Sequence, residues 1–397
     1  MRTISLKKYK ISYLFNFLFL FLAILDPTRS IFHLTEVVLV LCLFFNCKKF
    51  YYRYSIFIIY VMAVYFFSLA FSYTNQQFEK AREISLLTSY IFLFYLLLSK
   101  DDSNKTFLCF YKICIIMSII VILIAILFFL FNELASLFIT YFVDEKSTIM
   151  FTPARRFLNL EIIGVFYRTS PMIVLLLPFS LVMFFETRKI RYFIHSILFM
   201  GNLLFSGTRA NILSAILLFG FVFVCHLWYN KKSVFFFPTI LIGGIGAAML
   251  LIFLIITMKD ASASVKDLHK ISEWDVFLGN PIRTLFVGYG PGSMFYTRAW
   301  GRMTSQTELS YMELIRNYGV LGAIGILSIY VYPLFLMMKN RVYPIIYRLT
   351  LALGYVAYLF IAGTNPFLNC ATGYLTVSIF YYMANNNVIT EIRNNYG

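Results

Sequence analysis

Charge is scarce in this 397-residue sequence: only 13% of the residues are charged, whereas 60% are hydrophobic. Water-soluble domains have about a quarter of their residues charged, so this composition excludes an ordinary soluble domain. Acidic residues are scarcer still, with 18 Asp and Glu against 34 Lys and Arg. The basic residues are scattered through short loops, which anchoring beside a membrane explains, and no compact basic domain is present to bind nucleic acid.

Familiar catalytic and metal-binding motifs are missing as well. The six cysteines form no CxxC pair, the four histidines are unclustered, and there is no GxSxG elbow or phosphate-binding P-loop. Two closely spaced acidic pairs, Asp144 with Glu145 and Glu273 with Asp275, have no histidine in ligand spacing. We therefore expect neither a metal nor a cofactor, so the energy for any reaction has to arrive with the substrate.

Apolar runs of about twenty residues, the length that crosses a bilayer as a helix, are abundant instead. They predict an all-α polytopic membrane protein with about twelve transmembrane helices, forming a single integral membrane domain over residues 1–397. The predicted spans are 11–25, 31–46, 54–73, 84–99, 107–131, 171–186, 190–206, 210–228, 234–257, 309–338, 342–362 and 368–385.

The distribution of positive charge predicts the orientation. The basic N-terminus "MRTISLKKYK" precedes an apolar run without a small-residue cleavage site, so we interpret it as part of a retained first helix. With both termini in the cytoplasm, about half of the lysines and arginines fall in cytoplasmic loops and tails. Two long segments, 132–170 and 258–308, then become outer loops. No internal repeat is apparent, which weakens a transporter interpretation.

Arginines mark the first of these outer regions. In "SGTRANI", Arg209 stands at the outer end of the span 210–228. The first long segment contains "FTPARRFLNLEIIGVFYRTSP", in which Arg155, Arg156 and Arg168 lie among apolar residues. Two interpretations stay open: an interfacial helix whose arginines contact lipid phosphates, or a cationic wall for a phosphorylated substrate.

The second long segment combines a glycine-rich turn with cations and aromatic residues. The glycines of Gly288-Tyr289-Gly290-Pro291-Gly292 would let the backbone approach a ligand closely. The nearby cations form a second cluster for an anionic substrate or extend to lipid headgroups: Lys270, Arg283, Arg298 and Arg302. The nearby aromatic residues could stack on sugar rings or form an interfacial belt: Tyr289, Phe295, Tyr296 and Trp300.

Glu308 stands where the next helix is expected to begin, with Thr307 as a candidate cap. It either compensates the partial charge of the helix N-terminus or acts as a general base for a hydroxyl nucleophile. Tyr311 follows one turn later. Glu313 and Arg316 lie further along the same helix, where ionisable groups are candidates for function or for an internal pair.

The stretches "SGTRANILSA", "GNPIRTLFVGYGPGS" and "TELSYMELIRNYGVLG", in this order and on one predicted side, resemble the O-antigen polymerase and O-antigen ligase superfamily. Its members are bacterial inner-membrane glycosyltransferases of the GT-C type. The resemblance implies a GT-C-like fold and an active site facing the periplasm. It also implies an undecaprenyl-pyrophosphate-linked glycan as donor, without a metal, a cofactor or a nucleotide sugar. Arg209 matches the family arginine implicated in pyrophosphate binding. Glu308 stands where the ligase branch has a histidine, whereas Tyr311 matches, and this favours the Wzy-type polymerase.

We therefore expect a polymerase that transfers the growing glycan from undecaprenyl pyrophosphate to a new lipid-linked repeat unit. Glu308 and Arg209 are the predicted catalytic residues, and a chain-length regulator protein and membrane lipid are candidate partners. The predicted substrate-binding residues are Arg156, Arg168, Lys270, Arg283, Arg298, Arg302, Tyr289 and Tyr311. Two alternatives stay open: ligation of the glycan to lipid A–core, and a lipid-linked oligosaccharide flippase or similar transporter.

Overall fold

A computed structural model describes residues 2–25, 103–131, 150–151, 154–157, 160–229, 261–305, 307, 309–365, 367–368 and 370–390, with isolated positions elsewhere. The predicted spans 31–46, 54–73, 84–99 and 234–257 lie wholly or mostly outside these residues. Glu308 also lies outside them, and so do the side chains of residues 151–163.

The described chain is mostly helical. Its helices are α1 (Arg2–Leu25), α2 (Ser103–Leu130), α3 (Ile173–Thr187), α4 (Ile190–Phe205), α5 (Arg209–Tyr229), α6 (Ala261–Gly279), α7 (Pro281–Phe286), α8 (Ser310–Lys339), α9 (Ile345–Gly363) and α10 (Ala371–Asn385). A short 3-10 turn, Ser170–Met172, leads into α3.

Among the described residues, five segments are long and apolar enough to cross a membrane: Lys105–Leu130, Ser170–Thr187, Arg209–His226, Ser310–Lys339 and Ile345–Gly363. Two shorter apolar helices accompany them, Leu14–Leu25 and Ile190–Phe205. Each of these seven coincides with a predicted span to within a few residues, which supports a helical membrane protein. The total of about twelve spans stays a prediction.

The two long segments between spans contain short strands, which an all-α prediction did not include. In the first, β1 (Met150–Phe151) pairs with β4 (Phe166–Tyr167), and β2 (Ala154–Phe157) pairs with β3 (Leu160–Ile163), both antiparallel. The second contains α6, α7 and a hairpin in which β5 (Phe295–Thr297) pairs with β6 (Arg302–Thr304). The described parts of both segments therefore contain regular secondary structure.

Close packing of α3, α8, α9 and α10 forms much of the described core. A side chain at Gly354 of α9 would come within 2.6 Å of Pro178 in α3, so only glycine permits this approach. The Tyr355 ring stacks on Phe380 at 4.1 Å, and its hydroxyl donates to the Tyr330 carbonyl at 2.8 Å. Buried hydroxyls thus find backbone acceptors, as a water-poor interior requires.

The long segments lie at one end of the helical assembly. The Val165 amide donates to the Phe205 carbonyl at the end of α4, and the Thr169 hydroxyl donates to the Ile24 carbonyl at the end of α1. The Lys266 ammonium donates to the Thr364 carbonyl just after α9. Because α5 begins shortly after Phe205, the Arg209 turn lies at this same end, which we call the loop end.

Candidate functional site

The turn between α4 and α5 presents Arg209 at the loop end. Gly207 adopts a positive φ of 66°, which lets the chain reverse direction before α5 begins at Arg209. The buried Asn211 amide donates to the Ser206 hydroxyl at 3.0 Å, which fixes the turn from inside. Arg209 is partly buried, and its Nε and Nη2 atoms have almost no exposed surface. The turn therefore holds a guanidinium at the start of a helix, where backbone N–H groups also favour anions.

A second centre lies between α6 and α8 and consists of a buried ion pair. Arg316 Nε is 3.4 Å from Glu273 Oε2, and their side chains are 1% and 0% exposed. Glu313, one turn before Arg316 on α8, approaches Arg316 Nη2 at 3.5 Å, so the internal pair predicted from spacing is present. Two carboxylates on different helices thus surround one guanidinium.

The remaining hydrogen bonds of Arg316 tie the second long segment to α8. Nη1 donates to the Ser293 carbonyl at 2.7 Å and to its hydroxyl at 2.6 Å, and Nη2 donates to the Ser305 carbonyl at 2.7 Å. The guanidinium also lies over the Phe295 ring at 4.5 Å. A single α8 side chain therefore contacts the loop before β5, the strand β5 itself and the chain after β6.

The environment of Glu273 explains how a carboxylate is accommodated here. Burial raises the pKa of Glu273, and the Arg316 guanidinium and the Thr307 hydroxyl partly offset that increase. Thr307 Oγ1 donates to Glu273 Oε1 at 3.2 Å. Thr307 was expected to cap α8, but the N-cap position belongs to Leu309 and its side chain makes no cap hydrogen bond. The Thr307 hydroxyl is instead directed to the buried carboxylate.

The glycine-rich loop packs on α8. At Gly319 the helix has a non-helical residue with φ 71° and ψ 170°. The amides of Tyr289 and Gly290 donate to the carbonyls of Arg316 and Asn317, at 2.7 and 3.0 Å. A side chain at Gly288 would lie 2.5 Å from the Gly319 nitrogen. The close approach that we expected toward a ligand is thus made to a broken helix.

The predicted cations of the second segment are dispersed, and each has a neighbour of its own. Lys270 pairs with Asp267 at 2.9 Å and Arg298 with Asp275 at 2.6 Å, both on the surface. Arg283 lies over the Tyr289 ring at 4.6 Å and Arg302 over Trp300 at 5.5 Å. Lys270, Arg298 and Arg302 are exposed, whereas Arg283 is half-buried and its Nε donates to the Gly288 carbonyl at 3.0 Å. These four cations therefore make separate contacts and do not form one enclosed cluster.

Other predicted residues lie around the loop end. The Tyr311 hydroxyl donates to the Leu359 carbonyl at 2.8 Å, and its ring occupies the space that a side chain at Gly363 would need. Arg168 lies between β4 and the Ser170–Met172 turn, and the ring of nearby Phe166 is 5.5 Å from that of Phe367, just before α10. For Arg156 only the backbone is described, in register opposite Glu161.

The structure brings Arg209, Arg168 and Tyr311 to one end of the assembly, together with the second segment and its cations. It also reveals the Glu273–Arg316 pair, which sequence reasoning missed. Part of the signal was present, because Arg316 lies near the outer end of the predicted span 309–338, where an unpaired charge is costly. Glu273 lies in the middle of the second long segment and carried no such signal. Nothing in the sequence linked two positions on different helices. No family model and no curated protein matches the chain.

Proposed function

We propose that this protein is a membrane glycosyltransferase that uses a polyprenyl-pyrophosphate-linked glycan, with O-antigen polymerisation as the reaction. The observation that carries the proposal is the meeting of the Arg209 turn, Arg168, the start of α8 and the described parts of both long segments at one end of a helical membrane assembly. A lipid-linked donor needs cations at the membrane surface together with an apolar region for its tail, and the loop end offers both.

The reaction requires one bond to form while another breaks. The hydroxyl oxygen of the acceptor sugar attacks the anomeric carbon of the donor glycan, whose bond to the pyrophosphate oxygen breaks. The hydroxyl proton passes to a base, the role predicted for Glu308, and the lipid pyrophosphate leaves with the electron pair. Negative charge therefore grows on the leaving group, where a fixed guanidinium stabilises the transition state most.

Arg209 is the described residue best suited to that role. It begins α5, so its charge adds to the partial positive charge of a helix N-terminus. The Ser206–Asn211 hydrogen bond holds the turn, and a held cation needs no reorganisation when the pyrophosphate charge develops. Arg168 lies at the same end of the assembly and is a candidate for contacts to the bound donor.

Arg209→Ala and Arg341→Ala form the matched test of this proposal. Arg341 is exposed in the turn between α8 and α9, at the opposite end of these helices. We expect Arg209→Ala to abolish polymer and to accumulate lipid-linked single repeat units, whereas Arg341→Ala keeps the normal polymer ladder. Membrane immunoblotting verifies equal protein levels, and mass analysis of extracted lipid-linked glycans gives the readout. Normal ladders from Arg209→Ala would refute the role of this residue.

Glu308→Gln tests the base separately. We expect the same single-repeat intermediates to accumulate, with the protein still in the membrane, because the amide cannot accept the hydroxyl proton. Cells that lack the protein distinguish the alternatives. If long polymer accumulates on its lipid carrier in these cells and does not reach lipid A–core, the protein is a ligase. Repeat units that remain on the cytoplasmic side would indicate a flippase.

A further inference from the structure

We propose that α6 and α7 form a membrane-surface anchor whose outward apolar face is inserted into the interfacial layer of the bilayer. The proposal concerns how the second long segment contacts lipid. It does not depend on which reaction the protein catalyses. Neither helix is among the segments suited to cross the membrane, yet both expose large apolar side chains.

The second half of α6 has two opposite faces. His269, Ser272 and Glu273 are buried against the rest of the protein. Ile271, Trp274 and Leu278, spaced by three and four residues, lie on the opposite side and are exposed, Leu278 by 71%. Buried polar groups thus face the protein together with Phe277, and a stripe of apolar side chains faces outward, where a helix on a water-facing surface would be polar. Charged residues flank this outward face, as they do in interfacial helices.

The short helix α7 continues the same kind of surface. Asn280 separates the two helices and caps α7, where its side chain accepts from the Arg283 amide at 3.1 Å. Ile282 is 75% exposed, and the exposed apolar residues of the two helices together, which we call the α6–α7 face, are Ile271, Trp274, Leu278, Ile282, Leu285 and Phe286. Contiguous exposed apolar surface of this kind indicates contact with a membrane or a protein partner.

The position of α7 beside α8 favours lipid as the occupant. Beyond the break at Gly319, residues 320–338 form an uninterrupted uncharged stretch of about 28 Å, which matches the hydrocarbon thickness. Its exposed Leu321 and Ile324 are suited to lipid contact. A side chain at Gly319 would lie within 2.8 Å of the Phe286–Val287 backbone. The end of α7 therefore lies where the spanning part of α8 begins, level with the membrane surface.

The residues beside the α6–α7 face fit a headgroup environment. Trp274 is exposed and packs edge-on against Phe277, and tryptophan is enriched at the level of lipid headgroups. Lys270 lies to one side of the apolar stripe, and the Arg298–Asp275 pair lies to the other. The Arg316 hydrogen bonds hold the chain between these helices and α8 in place, so the anchor is fixed to the spanning helices rather than tethered loosely.

Fluorescence quenching of Trp274 tests the anchor directly. The sequence has three tryptophans, so the double variant Trp228→Phe/Trp300→Phe leaves Trp274 as the sole emitter. The full-length variant is reconstituted in phosphatidylcholine vesicles brominated at defined acyl positions. We expect quenching by bromines near the glycerol backbone to exceed quenching by bromines near the chain end about twofold, because interfacial helices are buried only about 5–10 Å. Aqueous iodide should quench weakly.

Two further variants in this background provide the matched control. Leu278→Glu places a charge on the α6–α7 face and should reduce lipid quenching and increase iodide quenching. Lys270→Glu introduces the same side chain beside the face and should leave both unchanged. Strong iodide quenching without lipid quenching in the parent would place the face in water. Protection from both quenchers would place it against protein, such as a second copy, and either result would overturn the proposal.

Photolabelling of the unaltered chain covers the case in which the tryptophan variant does not fold. A phospholipid with a diazirine near the glycerol end of its acyl chain is activated in the same vesicles, and labelled peptides are identified by mass spectrometry. We expect label in peptides from 271–286 as well as from α8 and α9. Label in the spanning helices but none in 271–286 would exclude the anchor.

Discussion

Arg316 and Arg209 both lie beside membrane spans at the loop end, yet their surroundings differ. Arg316 is 1% exposed, touches two carboxylates and donates to serine groups before and after the β5–β6 hairpin. Arg209 is only partly buried and begins a helix. One residue type therefore stands in two different surroundings: Arg316 joins the second segment to α8, whereas Arg209, for which we propose pyrophosphate binding, lies partly buried at the start of α5.

Because the surroundings of the two arginines differ, we expect their substitution to affect different properties of the protein. Removing Arg316 should unfold or misplace the second segment, whereas removing Arg209 should leave the protein intact and impair only the proposed reaction. The sequence predicted a role in the reaction for Arg209 and left Arg316 open between a function and an internal pair with Glu313.

The largest effect is expected from Arg316→Met. This change leaves Glu273 buried without its cation, and breaking a buried pair from one side costs about 3–5 kcal/mol. We expect a large fall in the midpoint of thermal unfolding in detergent, and low recovery from membranes. The double variant Arg316→Met/Glu273→Met should recover part of the loss, since it removes the orphaned charge. A midpoint within error of the native protein would contradict the holding role of Arg316.

A smaller but clear effect is expected from Gly319→Ala. The positive φ alone costs about 1–3 kcal/mol for a non-glycine residue, and the added methyl group would lie 2.7 Å from the Val287 nitrogen. We expect a lower unfolding midpoint and increased hydrogen exchange at the amides of Tyr289 and Gly290. Gly220→Ala is the control, because its side chain would meet open space on α5. Equal unfolding midpoints of the two variants would argue against close packing of the glycine-rich loop on α8.

The smallest effect is expected from Arg298→Ala, which removes a surface pair with Asp275. An exposed ion pair of this kind contributes about 0–1 kcal/mol. A double-mutant cycle with Asp275→Asn, measured by thermal unfolding at low and high salt, should give a coupling energy below about 1 kcal/mol that falls with salt. A coupling energy as large as the one expected for Arg316 with Glu273 would show that the exposed and the buried ion pair contribute equally to stability.

The spanning helices could be predicted because length and hydropathy alone determine them. The predicted spans 171–186, 190–206 and 210–228 coincide with Ile173–Thr187, Ile190–Phe205 and Arg209–Tyr229 to within two residues. In a bilayer the backbone N–H and C=O groups must form hydrogen bonds within their own segment. An apolar run of sufficient length therefore forms a helix whatever its neighbours are.

The site was less predictable because it depends on contacts between distant positions. Glu313 and Arg316 are one turn apart, and their pairing follows from helical spacing. Glu273 lies on another helix, and only the folded chain brings it to Arg316. The turn at Gly288 was expected from its glycines, but the surface against which it packs was not. Local chemistry predicts the turn, whereas the partner depends on tertiary structure.

The close packing of the glycine-rich loop on the broken helix restricts how this sequence can evolve. Gly288 and Gly319 each occupy the space that the other's side chain would need. A substitution at either position therefore displaces the backbone of the other segment, and a second substitution would add to the clash because both glycines have positive φ. Sequences descended from a common ancestor should keep both glycines, although 30 positions of chain separate them.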